Sequence, residues 1–419
     1  MRVSRLVTLC TVALMTVVST QVAEAQPIPR ADESVDYHEW GGPRDFRDGD
    51  FDGLTTDRGA LRMGRPIGSV EHSEPSLGTT RTYEYGQWTS PSYRHGFDAT
   101  QLIASWNAVT PAKTWLQVEV KVQTTTGDET GWYSMGRWAT GDADIKRTSV
   151  DGQSDTNAAV DVDTLVTKAG IALRSYQLRV ILYREAGTHA TPELTSVGAM
   201  TSQVPDRFEV QPTKPSHAAG IELPVPPYAQ NLHKGDFPEY GGGGENWCSP
   251  TSTEMVAEYW GKRPKKSDMS WIPDGYVDPT VAYAARHTFD YAYDGTGNWP
   301  FNTAYAASLG LRGHVTRLHS LNELESYIAR GIPVITSQSF LAEELDGAGY
   351  GTAGHLMVII GFTKEGDVIA NDPASSSNEA VRNVYKRDQF EKIWQRTKRY
   401  TASGSVAGGP GGIVYIITP

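Results

Sequence analysis

One cysteine, one histidine, one aspartate and one glutamine in the second half of this chain carry side chains that together could cleave an acyl bond. Cys248 lies in Gly244-Glu-Asn-Trp-Cys-Ser-Pro-Thr-Ser252, immediately ahead of a stretch that reads as a helix. The first amides and the macrodipole of a helix carry partial positive charge, which favours a thiolate there; the alternative for such a cysteine is a small buried hydrophobe. A cysteine nucleophile needs a base, a group that orients the base, and donors for the oxyanion. His355 opens the apolar run Leu356-Met-Val-Ile-Ile360 and follows Gly354, so it can project from a sheet edge into a cleft; the alternative is a hydrogen-bonded core histidine. Asp372 follows the short run Val368-Ile-Ala370. A hairpin through Thr363 to Asp367 would set residues 355 and 372 side by side, where the carboxylate accepts from an imidazole N–H; an Asp-Pro turn cap is the alternative. Gln230, in Val225-Pro-Pro-Tyr-Ala-Gln230, is a candidate side-chain oxyanion donor beside the Cys248 backbone N–H, although most glutamines have no special role.

The start of the chain explains why this cysteine stands alone. Met1 to Arg5 carries two arginines, Leu6 to Val18 is apolar, and Ala23-Glu-Ala25 has the small-x-small pattern of a signal-peptidase site. Cleavage is expected after Ala25. It discards Cys10 and leaves Cys248 as the one cysteine of a mature protein of about 390 residues, long enough for two domains. Leu9 is too large for the position ahead of a lipid-modified cysteine, so no lipid anchor is expected on Cys10. A lone thiol makes no intramolecular disulfide, so stability in an oxidising compartment rests on packing, and a nucleophile is the leading explanation for the thiol. Losing Arg2, Arg5 and Glu24 takes the net charge from −11 to −12. That argues against nucleic acid or an anionic membrane as the main partner. No later segment approaches the roughly 18 apolar residues of a membrane helix. The expected product is soluble and exported, secreted or held in the cell envelope.

The elements that must position these residues fall into two halves. Residues 34–203 read as strands: Trp115-Leu-Gln-Val-Glu-Val-Lys-Val122 and Tyr176-Gln-Leu-Arg-Val-Ile-Leu-Tyr183 alternate apolar with polar, and turn-rich clusters separate such runs. An all-β antiparallel sandwich is expected there. Residues 204–220 hold Pro205, Pro212 and Pro215 without periodicity and read as a linker. From Ile221 to Pro419 the pattern changes to α+β. Ser249 can act as N-cap with Pro250 at the first helical position, and Gly261 can stop that helix. Leu321 to Arg330 predicts another helix closed by Gly331. Strands are predicted over Ile332–Thr336, His355–Ile360, Val368–Ala370 and Ile413–Ile417.

Taken in order, Val-Pro-x-Tyr-x-Gln, Trp-Cys-x-Pro-x-Ser with a helix ending Tyr-Trp-Gly, Gly-Ile-Pro-Val, Gly-His-x-x-Val-x-x-Gly-Phe and Asn-Asp-Pro resemble the papain-superfamily cysteine peptidases that trim double-glycine leaders. The resemblance is to their stand-alone, secreted bacterial branch, the C39-like peptidases, and covers Ile221 to Pro419. It implies a papain-like fold for that half, with Cys248 as nucleophile, His355 as base, Asp372 as orienting acid and Gln230 as oxyanion donor. It implies no cofactor, and a protein or peptide substrate. Two departures stand out. Ser249 replaces the usual glycine after the cysteine. Gln230 precedes Cys248 by 18 positions, a gap that includes Gly241 to Gly244 and makes Asn246 a second candidate donor. No transporter domain accompanies the motifs, so the family's leader substrate does not carry over.

Other signals are weaker. Asp48-Gly-Asp-Phe-Asp-Gly53 mimics the start of a calcium loop but has Gly59 where a bidentate Glu is needed. The ten histidines show no zinc-ligand spacing, and Gly404 to Gly412 lacks the Lys-Ser/Thr of a phosphate loop. No metal is expected. Trp88, Trp106, Trp115, Trp132 and Trp138 could stack on cell-wall or other glycans, or fill a core. The leading reading is a secreted thiol peptidase, with acyl transfer to an amine as a variant of the same chemistry. The competing reading is a glycan-binding protein whose papain-like half is inactive.

Overall fold

The computed structural model describes residues 34–419; the expected signal peptide and its cleavage site lie outside the described residues. In the first half, β-branched and aromatic residues at alternate positions build two antiparallel sheets. One has seven strands and is centred on Gln101–Val109 and Glu193–Gln203; the other has six and is centred on Thr114–Thr124 and Leu173–Glu185. Leu102, Ala104 and Trp106 of the first share one core with Leu116, Val118, Val120, Leu178, Val180 and Leu182 of the second. Trp88, Trp106, Trp115 and Trp138 are buried. Trp132 is half-buried, and the Arg179 guanidinium lies 4.3 Å from its ring centroid. These tryptophans are thus mainly core residues and do not form an exposed stacking face. The Asp50–Asp52 run is an edge strand paired with Gln87–Thr89, not a calcium-type loop.

The second half is a six-stranded antiparallel sheet with helices around it. Its order is Arg312–Arg317, Ile413–Thr418, Val334–Phe340, Thr352–Phe362, Val368–Asn371, Arg382–Tyr385. Strand Thr352–Phe362 carries the long apolar run predicted from His355 onward and is buried from His355 to its end, since helix Cys248–Tyr259 packs against it. The predicted hairpin forms: Phe362 pairs with Val368, and the Thr363 N–H donates to the Asp367 carbonyl at 2.9 Å. Helices Pro279–Thr288, Trp299–Ser308 and Arg387–Gln395 complete the half beside the predicted Leu321–Ala329.

The proline-rich segment 204–220 is not a free tether. It has neither helix nor strand as far as an isolated bridge at Ala219, as its prolines predict, but its polar groups are spent on the second half. Glu391 accepts from the Thr213 N–H at 2.6 Å, Glu325 accepts from the N–H groups of Ser216 and Ala218, and the Arg387 guanidinium donates to the Thr213 carbonyl. Buried carboxylates on two helices thus hold it down as a strap. The two halves also meet directly. Strand Arg312–Arg317 is a sheet edge, and the N–H groups of Gly313 and Val315 donate to Asn107 Oδ1 and Ser105 Oγ of the sandwich. Side chains from one half thereby satisfy an edge in the other.

Candidate active site

Cys248 is the first residue of helix Cys248–Tyr259, and part of its surface opens onto a cleft of about 1000 Å³ that Gln230, Asn246 and His355 also line. Here the helix-start prediction needs correction. The helix begins at Cys248, Trp247 precedes it, and Pro250 is the third helical residue. Ser249 caps nothing: it is buried, and its hydroxyl shares a 2.9 Å hydrogen bond with Tyr415 on the sheet. That partner, distant in sequence, outcompetes the local cap and turns the extra hydroxymethyl away from the cleft. Gly261, at φ +71°, ends the helix as expected.

His355 and Asp372 are both buried, and the imidazole Nε2–H donates to Asp372 Oδ1 at 2.9 Å. This contact fixes the ring and leaves Nδ1 for Cys248, which lines the same cleft and interacts with the imidazole electrostatically. The electrostatics follow from the geometry. Burial pushes the Cys248 thiol up, but the charge and hydrogen bond of His355, with the backbone N–H groups of Leu356 and Ser249, bring it below the ordinary thiol value. Burial alone would lower His355; Asp372 and Cys248 outweigh it and raise the imidazole to about 10. Asp372 is raised by burial and lowered further by His355, the Tyr385 hydroxyl and the Ala374 N–H, with a net downward shift. The arrangement favours a thiolate facing an imidazolium.

Two residues that sequence reasoning missed complete the carboxylate's surroundings. Asp372 Oδ2 accepts from the hydroxyls of Tyr385 at 2.6 Å and Tyr350 at 2.9 Å. Tyr350 belongs to the glycine-flanked loop between strands Val334–Phe340 and Thr352–Phe362, and its ring meets the His355 ring edge-on at 5.6 Å. No local pattern marks either tyrosine.

Gln230 is buried, and its Nε2 donates to the Glu245 carbonyl at 2.7 Å. The second Nε2 hydrogen is left for another acceptor. The long gap to Cys248 is folded compactly. Gly241, Gly242 and Gly243 have positive φ, and a Cβ on Gly244 would meet the Gln230 carbonyl oxygen at 2.5 Å. The glycines let the chain double back, so residue 245 lies against residue 230 and Gln230 stays at the cleft. Asn246 also lines the cleft, but it is exposed and its Nδ2 donates to the Gly241 carbonyl. Among the described residues no cluster of three or more His, Cys, Asp or Glu is grouped to hold a metal ion.

Two family models match this chain. Residues 36–202 match the peptidase C39 N-terminal domain, and residues 222–402 match the peptidase C39-like family. The second half of the chain, residues 222–402, belongs to the C39-like peptidase family. A solved structure named for a C39-like peptidase from Bacillus anthracis is 18% identical and covers 48% of this chain and 98% of its own. Its TM-score of 0.29 is too low to bear on the fold. No curated protein matches the chain significantly. Membership in the C39-like family points to a hydrolase of the cysteine-peptidase class. The first half matches a model described as the N-terminal domain of peptidase C39.

Proposed function

We propose that this C39-like protein is an exported cysteine peptidase that cleaves peptide or peptide-like amide bonds through Cys248, His355 and Asp372 in a papain-like half. The observation that carries the reading is His355 held at 2.9 Å by the Asp372 carboxylate on the cleft that Cys248 also lines, where their mutual charge favours a lowered thiol and a raised imidazole.

The steps follow. The Cys248 thiolate attacks the substrate carbonyl carbon. The resulting oxyanion accepts from the Cys248 N–H and from the free Nε2 hydrogen of Gln230. His355 passes its Nδ1 proton to the leaving nitrogen, the C–N bond breaks, and a thioester remains. Water then gives His355 a proton as it attacks the thioester, the acid product departs, and the thiolate is restored. Asp372 holds the ring throughout and balances its charge.

The test is the rate of Cys248 alkylation by iodoacetamide from about pH 4 to 10, read against an unperturbed thiol near 8.5. The expected wild-type profile is fast well below 8.5. In His355→Ala the largest influences opposing burial are lost and only the Leu356 and Ser249 N–H groups remain against it, so the profile should move up, away from the acid range. A slow wild-type rate that rises only near 8.5 and ignores the mutation would sink the proposal.

A further inference from the structure

Part of the cleft wall is built from Tyr293, Asp294, Gly295, Thr296, Gly297 and Trp299. These residues belong to the second half, which supplies most of their bonds, among them Thr296 to Asn246 and Asn302 to Thr296, yet the bond at the helix end comes from the first. Trp299 opens helix Trp299–Ser308, where the first N–H groups have no partner within the helix. Asn298 caps the Phe301 N–H from the helix's own side. The Trp299 N–H instead donates at 2.8 Å to Asp163, at the turn of the sandwich hairpin Ala158–Asp161/Thr164–Thr167. The turn has Val162 in the left-handed region at φ +55°, which delivers Asp163 to the helix end. Asp163 is buried there, and its other oxygen accepts from the Thr164 hydroxyl. Burial raises its pKa to about 6, so the chain keeps a carboxyl group where solvation is poor.

A second crossing contact lies nine residues upstream. Asp290 Oδ1 accepts from the N–H groups of Ala292 and Tyr293 and so shapes the turn that carries Tyr293 and Asp294. The same oxygen accepts from the Ser149 N–H of the sandwich at 2.9 Å. Its Oδ2 accepts from Asn298 Nδ2, which ties that turn to the helix cap. Arg147, the Asp142–Arg286 ion pair and Phe301 packed against Trp106 and Trp138 also join the halves, so docking does not rest on these bonds alone.

We propose that the sandwich is a working part of the active site, and that Asp163 is a positioning residue which sets the Tyr293–Trp299 wall, and so the binding of an extended peptide, without touching the Cys248–His355 pair. The proposal rests on the peptidase reading, and its test separates the two. Full-length wild type, Asp163→Ala and Asp163→Asn are each treated with iodoacetamide and with a peptidyl vinyl sulfone long enough to span the cleft. Backbone hydrogen exchange is followed over residues 290–300.

In Asp163→Ala the iodoacetamide rate should hold. The second-order rate with the peptidyl reagent should fall about tenfold, as expected for one lost charge-assisted hydrogen bond, through weaker binding and not slower bond formation. Exchange over 290–300 should quicken. Asp163→Asn keeps an uncharged acceptor for the Trp299 N–H and should bring both readings most of the way back to wild type. Equal peptidyl rates in wild type and Asp163→Ala, or loss of both reagents together, would overturn the proposal. If wild-type Cys248 reacts as an ordinary thiol, the peptidase reading fails on its own. The exchange arm then still decides the wall's dependence on Asp163, and unchanged exchange would overturn it.

Discussion

Asp372 accepts four hydrogen bonds: from His355 and the Ala374 N–H on one oxygen, and from Tyr350 and Tyr385 on the other. A carboxylate so held cannot rotate, and the ring it carries keeps Nδ1 facing Cys248. Tyr385 is buried and makes the shorter of the two tyrosine contacts, so Tyr385→Phe should cost more than Tyr350→Phe. A neutral donor lost from a buried carboxylate weakens the arrangement by about 1 kcal/mol, near a fivefold fall in kcat/KM. The alkaline limb near 10 should persist because Asp372 still faces the imidazole. A pH–rate profile of the Phe variant reads both quantities. The acid limb should lie below the ordinary thiol value in both proteins, since the thiolate's stabilisation comes from His355. At this scale the sequence showed the three chemically distinctive residues because each stands at the edge of an element with a strong local pattern. Tyr350 and Tyr385 were illegible. Their partner is 22 and 13 positions away, and a tyrosine in a loop or a short strand has no signature of its own.

At the scale of elements, the site depends on how Gln230 and Cys248 are brought together across 18 positions, and the glycine run does this by close backbone approach. Gly244 is the tightest point. A Cβ there would stand 2.5 Å from the Gln230 carbonyl oxygen and from two His233 atoms, all belonging to backbone or to a packed side chain. Gly244→Ala should therefore push the 230–233 turn outward, lower stability by about 1–3 kcal/mol as overpacking does, and reduce peptide turnover. Gln230→Ala should lose turnover by about 10²–10³ with the fold intact, as expected for an oxyanion donor. Alkylation of Cys248 by iodoacetamide, which forms no oxyanion, should hardly change in either variant, and comparing it with peptide hydrolysis separates the two effects. Near-wild-type turnover in Gln230→Ala would move the donor's role to Asn246. Local grammar served well for the strands: the hairpin loop and Gly331 beyond Leu321–Ala329 lie where apolar period and turn residues put them. It failed where a tertiary partner overrode it. Ser249 has the residue type of a cap, yet its hydroxyl is taken by Tyr415, 166 positions on. The 204–220 segment has the composition of a linker, yet Glu325 and Glu391 bind it down.

For the whole molecule, composition and periodicity divide the chain correctly into a β half and a mixed half but are silent on how the two are joined, because each crossing bond pairs residues over a hundred positions apart. The join is polar as well as apolar. Arg147 is fully buried, and its guanidinium donates to the carbonyls of Ala139, Thr140 and Gly141 on its own side and of Arg286 and Phe289 across the boundary. Asp142 beside it is held far below the usual carboxylate range: burial alone would raise it, but the Arg286 hydrogen bond and charge prevail. Arg147→Ala strands carbonyls on both sides in a space water cannot readily fill, and should destabilise the protein by about 3–5 kcal/mol, the range for breaking a buried charged network. Because the same side chain serves both halves, the loss should appear in both. Urea unfolding followed by far-ultraviolet dichroism, weighted to the strand-rich first half, and by the fall in Cys248 alkylation rate at a pH below about 8.5 as its pairing with His355 is lost, specific to the second, should give one midpoint in wild type. In the variant both midpoints should fall together. Midpoints that separate, with the fast Cys248 alkylation lost at unchanged urea, would mean that each half carries its own stability and that the boundary is a docking surface. In that case the strap at 204–220, not Arg147, would be the element that keeps the halves in register.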